Sequence, residues 1–133
     1  MARFLSVDQV FQTQVHLCET YGMNRGVRSQ AILRQAALRP FDMAQTAQIH
    51  HEDLPLIAAH YAVSLVQLQP FAEGNVVTAF AVAHQFLFMN DVLLNVQEQQ
   101  FVDKMMLLVG GELTVEQLAN YFADYSDPLP VQL

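Results

Sequence analysis

The chain has one cysteine, Cys18, in 133 residues. One thiol closes no intrachain disulfide and builds no thiolate metal cluster, so a reducing compartment, the cytoplasm, is expected. Lysine is equally scarce, with Lys104 alone, and six basic residues face thirteen acidic ones. The resulting net charge of −7 argues against nucleic acid as a partner, because neutralising phosphates takes a basic surface. A signal-peptide run is also missing: Asp8, Gln9, Gln12 and Gln14 interrupt the first segment, and export by that route is not expected. One stretch, Leu54 to Ala72, has no Asp, Glu, Lys or Arg over nineteen residues. A membrane-spanning helix needs about 20 predominantly apolar residues. This stretch carries His60, Ser64, Gln67 and Gln69, and Pro70 would break it near its end. It reads as a buried helix followed by a loop, with no membrane partner.

Strand-type alternation is almost absent, and the helical period recurs throughout. Hydrophobic residues make up 53% of the chain, enough for one domain to bury about two-thirds of the surface its unfolded form exposes. The expected fold is all-α, a compact bundle of about six helices over residues 1–126, with 127–133 as a tail. Ser6 and Gln9 form a capping box for a first helix that places Val7, Val10, Phe11, Val15 and Cys18 near one face and stops at Gly22. A short second helix ends at Pro40, with its arginines outward. Residues 41–52 fit a short helix or a loop equally. Asp53 and Pro55 start a helix running to about Leu68, and Asn75 to Met89 is a charge-free helix that belongs among others. "VLL" at 92–94 is an extended link. Asn95 with Glu98 opens a helix to Val109, stopped by Gly110-Gly111, and Thr114 with Gln117 opens the last one.

The charge is unevenly spread. Five arginines against Asp8 and Glu19 make residues 1–39 net +3, whereas Lys104 against eleven acids makes the remainder net −10. A solvated face explains this, and so does a site for an anion or acidic partner near Arg25 and Arg28.

Between the two apolar helices lies "QPFAEGNVVTAF", Gln69 to Phe80. It resembles the signature of the Fic/Doc family, His-x-Phe-x-Asp/Glu-Gly/Ala-Asn-Gly/Lys-Arg followed by a helix. "YGMNRGVRSQAILRQAALRP", the Thr78-Ala79 pair and "GELTVEQLANYF" are similar to segments of the Doc branch in the same order, so the likeness covers roughly residues 4 to 125. It implies the all-α Fic fold and a transferase moving a nucleotidyl group or phosphate from ATP, or another nucleotide with magnesium, to a protein hydroxyl. It also implies a relation to toxin-antitoxin toxins. By the same resemblance Phe71, Glu73, Gly74, Asn75 and Arg28 are candidate nucleotide-binding residues, and Glu73 is the candidate magnesium ligand.

The departures are chemical. Gln69 stands at the motif's histidine position, and an amide accepts no proton near neutral pH. Val76 and Val77 stand where the motif has Gly or Lys and then Arg, and Phe80 where the fuller pattern has a second Arg. Losing a positioned base removes about 10² to 10⁴ in rate, and losing two charge-assisted hydrogen bonds of about 1.5 to 3 kcal/mol each weakens phosphate binding severely. No catalytic residue is assigned, Gln69 standing at the histidine position. The leading expectation is a non-catalytic binding protein whose partner is an antitoxin-like segment or a target protein. A second is a weakened AMP- or phosphotransferase, helped by Arg25 or Arg28 folding over the loop, and a third is a purely structural interaction domain. A homo-oligomer stays open.

Elsewhere, His50-His51 with Glu52 and Asp53 has metal-ligating residue types, but adjacent side chains diverge and spacing fixes no third ligand. His60 and His84 are expected as hydrogen-bonded core histidines, and Met105-Met106 and Phe86-Leu87-Phe88 as core.

Overall fold

Six helices form among the described residues, and the first, third, fourth and sixth begin where their caps and apolar runs place them. The computed structural model describes residues 1–130. Helix α1 (Val7–Tyr21) opens on the Ser6–Gln9 capping box and closes on Gly22 in the left-handed region, φ 68°. Its buried side is Val10, Gln14 and Cys18. Helix α3 (Leu54–Leu68) is capped by the Asp53 carboxylate, with Pro55 in its first turn, and α4 (Asn75–Met89) follows the motif loop. Helix α6 (Val115–Asp124) has the expected Thr114–Gln117 box.

Helix α3 is the centre of the bundle, packed against α2 (Gln30–Gln45), α4 and α6. Its Ile57, Tyr61, Ala62 and Leu65 are fully buried, as are Phe86 and Leu87 of α4. Tyr61 keeps its hydroxyl satisfied by accepting the Leu5 N–H at 3.0 Å, which pins the N-terminal segment to the core. No helix among the described residues is long and apolar enough to cross a membrane.

Three expectations are corrected. The second helix does not end at Pro40: α2 runs from Gln30 to Gln45 with Pro40 inside it. An interior proline removes one helical hydrogen bond at a cost of about 3 kcal/mol. Here Leu33, Ala36, Ala37, Pro40 and Ala44 form one continuous buried stripe, whose burial offsets that loss. Residues 46–52 then form turns. Helix α5 (Glu98–Val109) is capped from Gln97, whose N–H donates to Gln100 Oε1 at 3.3 Å. Asn95 instead donates to Asp127 Oδ2 at 2.6 Å.

That bond belongs to the third correction. The link β1 (Val92–Leu94) pairs antiparallel with β2 (Ser126–Pro128), Val92 opposite Pro128 and Leu94 opposite Ser126. The first residues of the expected tail are therefore tied to the bundle; residues 131–133 lie outside those described. Pro128 has no N–H to give to the ladder, and a two-stranded edge accepts it.

Candidate functional site

The loop between α3 and α4 is shaped at Gln69, Pro70, Gly74 and Asn75. Helix α3 ends because Gln69 turns left-handed, φ 47° and ψ 62°, with its N–H still bonded to Leu65 O. A non-glycine residue there costs on the order of 1 to 2 kcal/mol, and the following Pro70 restricts it further. Pro70 and Phe71 are buried, Phe71 completely. Gly74 is again left-handed, φ 77°, and a Cβ there would stand 2.8 Å from Met23 Cε. Asn75 then starts α4.

The loop is held from two sides. Asn75 returns its carboxamide to Phe71, accepting the Phe71 N–H and donating to the Phe71 carbonyl, each at 3.1 Å. On the other side the segment after α1 pairs with it: Arg28 N–H donates to Pro70 O at 2.7 Å, Ala72 N–H to Gly26 O at 2.8 Å, and Val27 bridges Phe71. Asn24 anchors that segment. Its N–H donates to Glu73 Oε2 at 2.9 Å and its side chain accepts the Gly26 N–H at 2.8 Å. Its carbonyl accepts from Gln14 Nε2 and Cys18 Sγ. Asn24 and Met23 were not singled out from the sequence; the Asn-x-Gly spacing of an Asx turn was the available signal for Asn24.

Of Arg25 and Arg28, one or the other of which was expected over the loop, Arg28 reaches it, with Nη1 3.5 Å from Gln69 Oε1. Arg25 pairs with Glu19 at 3.5 Å. Helix α4 has no side-chain cap, so its first amides remain available to an anion, and the helix dipole favours one there. The side chains beside those amides are apolar. Val76 and Phe80 pack against the core, Phe80 with its ring 5.0 Å from that of Phe101. Met23 Cε and Val77 Cγ1 cover the space at Gly74. Just below, Thr78 Oγ1 and Gln14 Oε1 are buried without a hydrogen-bond partner among the described residues.

Residues 4–87 match the family model described as the Fic/DOC family. The chain belongs to that family. The match spans the whole of α1 to α3, the loop and most of α4, and so covers the site. No curated protein matches the chain.

A magnesium ion is what the family implies, and Glu73 is the acid in position for it. One of its oxygens is taken by Asn24 N–H, and no cluster of three acidic, histidine or cysteine residues suitable for a metal occurs among the described residues. Magnesium is commonly held by one or two carboxylates together with substrate phosphates. Glu73 therefore fits as a single partner to a magnesium–phosphate unit and not as a metal site in itself.

The remaining histidines differ from expectation. His60 and His84 are half-buried and make no side-chain hydrogen bond among the described residues; His84 stacks on Phe88, which is exposed. Burial holds both imidazoles below their ordinary range, and for His60 the Arg39 charge adds to it. His51 packs edge-on against the Phe4 ring at 5.6 Å. Met105 is buried as expected, whereas Met106 and Phe88 are exposed.

Proposed function

We propose that this member of the Fic/DOC family is a non-catalytic protein-binding module related to toxin-antitoxin toxins. The reading is carried by the entrance to the loop, where a neutral amide, Gln69, stands at the position of the family's histidine and meets the Arg28 guanidinium. An amide cannot take the proton of an attacking hydroxyl. A cation beside that position would further disfavour protonating any base placed there. The apolar cover of Met23 and Val77 over Gly74 supports the same reading, because phosphate gains nothing from methyl groups. What is retained is the scaffold: the Asn75 clamp and the pairing with residues 26–28 keep the loop's shape and its surface for a protein partner.

A second reading has its own observation. Arg28 returns one cation to the loop, so a weakened nucleotide-dependent transferase would use Arg28, Glu73 and the α4 amides. The test that separates the two is incubation of the purified protein with host lysate and ATP labelled in the α- or the γ-phosphate. No incorporation is expected with either label, and ATP binds with a Kd no tighter than about 1 mM. Labelling of a protein that disappears in Glu73→Ala would establish the transferase instead. A photo-cross-linker placed at Val77 should capture a discrete protein in cells, and capture of nothing above background would leave no support for the binding role.

A further inference from the structure

A cavity unrelated to the motif loop lies where α2, α3, the end of α5 and the start of α6 meet. Its volume is about 290 Å³, near the lower end for small-molecule sites. Four polar side chains converge on it from two helices: Arg39 of α2, and His60, Ser64 and Gln67 of α3. Ser64 is 2% exposed, the most deeply buried of the four. Leu108, Leu113 and Val115 form the opposite, apolar wall, and Thr114 brings the N-terminus of the ten-residue α6 to the rim.

The charge balance is what makes this cavity a site. No Asp or Glu lines it; Glu116 in the first turn of α6 acts on His60 from outside the lining, and Asp42 stands with Arg39 on the far side, forming no ion pair with it among the described residues. Arg39 is exposed and has no ion-pair partner among the described residues, where the only pairs are Arg3–Asp91 and Arg25–Glu19. The chain beyond residue 39 is net −10, so acids to pair with Arg39 were abundant. His60, neutral at pH 7, offers one donor and one acceptor without adding charge.

We infer that this cavity binds a small aliphatic monocarboxylate, with Arg39 gripping the carboxylate and Leu108, Leu113 and Val115 holding the hydrocarbon body. A guanidinium fork matches a carboxylate with two parallel hydrogen bonds. A single guanidinium balances one negative charge, which suits a monocarboxylate better than a phosphate dianion. The apolar wall adds affinity only for a ligand that carries a chain. Ser64 and Gln67 supply further donors to the carboxylate oxygens. The inference is independent of what the motif loop does.

The test is titration of the full-length protein with hexanoate, followed by NMR of the His60 ring and the methyl groups of Leu108 and Val115, with hexanol and inorganic phosphate as controls. Saturable binding with a Kd of roughly 1 mM is expected. Neither control should bind better than about one-tenth as tightly as hexanoate, since the fork and the wall are both required. Arg39→Gln should weaken hexanoate at least about tenfold and Ser64→Ala a few-fold. Arg39 is exposed, so its replacement should leave the circular dichroism unchanged. Arg39→Lys keeps the charge without the fork, and is expected to bind between the wild type and Arg39→Gln. Hexanol binding as well as hexanoate, phosphate matching it, no saturation, or an Arg39→Gln variant of unchanged affinity would each overturn the assignment.

Discussion

The carboxamide of Asn75 and the backbone of Phe71 close a two-way ring, Oδ1 accepting and Nδ2 donating, each at 3.1 Å. Four residues of loop are thereby fixed by one side chain, and both polar groups of a buried residue are satisfied at once. Asn75→Ala leaves the Phe71 N–H and C=O without those partners, so a loss of about 2 kcal/mol is expected in denaturant melts. Amide exchange at Phe71 should accelerate more than at Val10 in α1. A loss below about 0.5 kcal/mol would show that the loop does not depend on this clamp.

Gly74 carries two separable constraints, its left-handed φ of 77° and the Met23 methyl 2.8 Å from the site of a Cβ. Gly74→Ala should cost about 1 to 2 kcal/mol from φ alone, plus the displacement of Met23. Adding Met23→Ala removes the contact and leaves the φ penalty. The double variant is therefore expected to be less destabilised than the sum of the two single ones. Strict additivity in the melts would mean that Met23 does not sit over the glycine.

His60 and His84 are held below their ordinary pKa of 6.5, in both cases first by burial. The folded protein thus resists protons that the unfolded chain accepts. Their contribution to stability is complete above about pH 6.5 and is lost as pH falls through the depressed folded values. Urea melts at about pH 7.5 and about pH 5 should show the wild type losing more stability than a His60→Gln, His84→Gln variant. Equal losses would assign the acid sensitivity to other groups.

Burial raises the Cys18 thiol, the Glu73 carboxylate raises it further, and Arg25 opposes both. The reactive form is the thiolate, so native Cys18 should react with a thiol reagent at about pH 8 at least a hundredfold more slowly than in denaturant. Rapid stoichiometric labelling of the folded protein would place the sulfur at the surface.

Local signals were legible wherever one side chain decides a helix end: Ser6, Gly22, Asp53 and Thr114 act in the structure as their sequence spacing implies. The charge-free runs likewise became the two central helices. Pro40 misled because its local cost is outweighed by a tertiary stripe, although Ala36, Ala37 and Ala44 carry the period straight through it. The pairing of Val92–Leu94 with Ser126–Pro128 joins segments more than thirty residues apart, and three-residue strands leave no period to read. At the site, the motif placed Phe71, Glu73, Gly74 and Asn75 in one loop. It did not show that Phe71 and Asn75 hold each other, or that Asn24 takes a Glu73 oxygen. Nor could it choose between Arg25 and Arg28, because Arg25 turns back to pair with Glu19 in the last turn of α1.

The last prediction concerns restoring charge to the loop. Gln69→His alone should give no transfer, since a base cannot act on a phosphate donor that is not held in place. The two valines are not equivalent hosts for cations. Val76 packs against the core, so Val76→Lys trades packing for charge and should lower stability. Val77 stands beside Gly74, with Cγ1 3.5 Å from the site of a Cβ, and lies in the first turn of α4, where the amides are uncapped. Val77→Arg therefore adds a guanidinium next to donors already aimed at the same space. One charge-assisted hydrogen bond of about 1.5 to 3 kcal/mol corresponds to at least a tenfold gain in ATP affinity at low salt. The gain should shrink as salt rises, because the new charge is solvent-facing. Only the Gln69→His, Val76→Lys, Val77→Arg variant has base and cations together, and it alone of the set is expected to label a protein substrate. The decisive measurement is calorimetry of ATP binding to Val77→Arg against wild type. No tightening, with the circular dichroism unchanged, would mean that the α4 N-terminus no longer offers an anion site and that more than the lost side chains separates this loop from an active one.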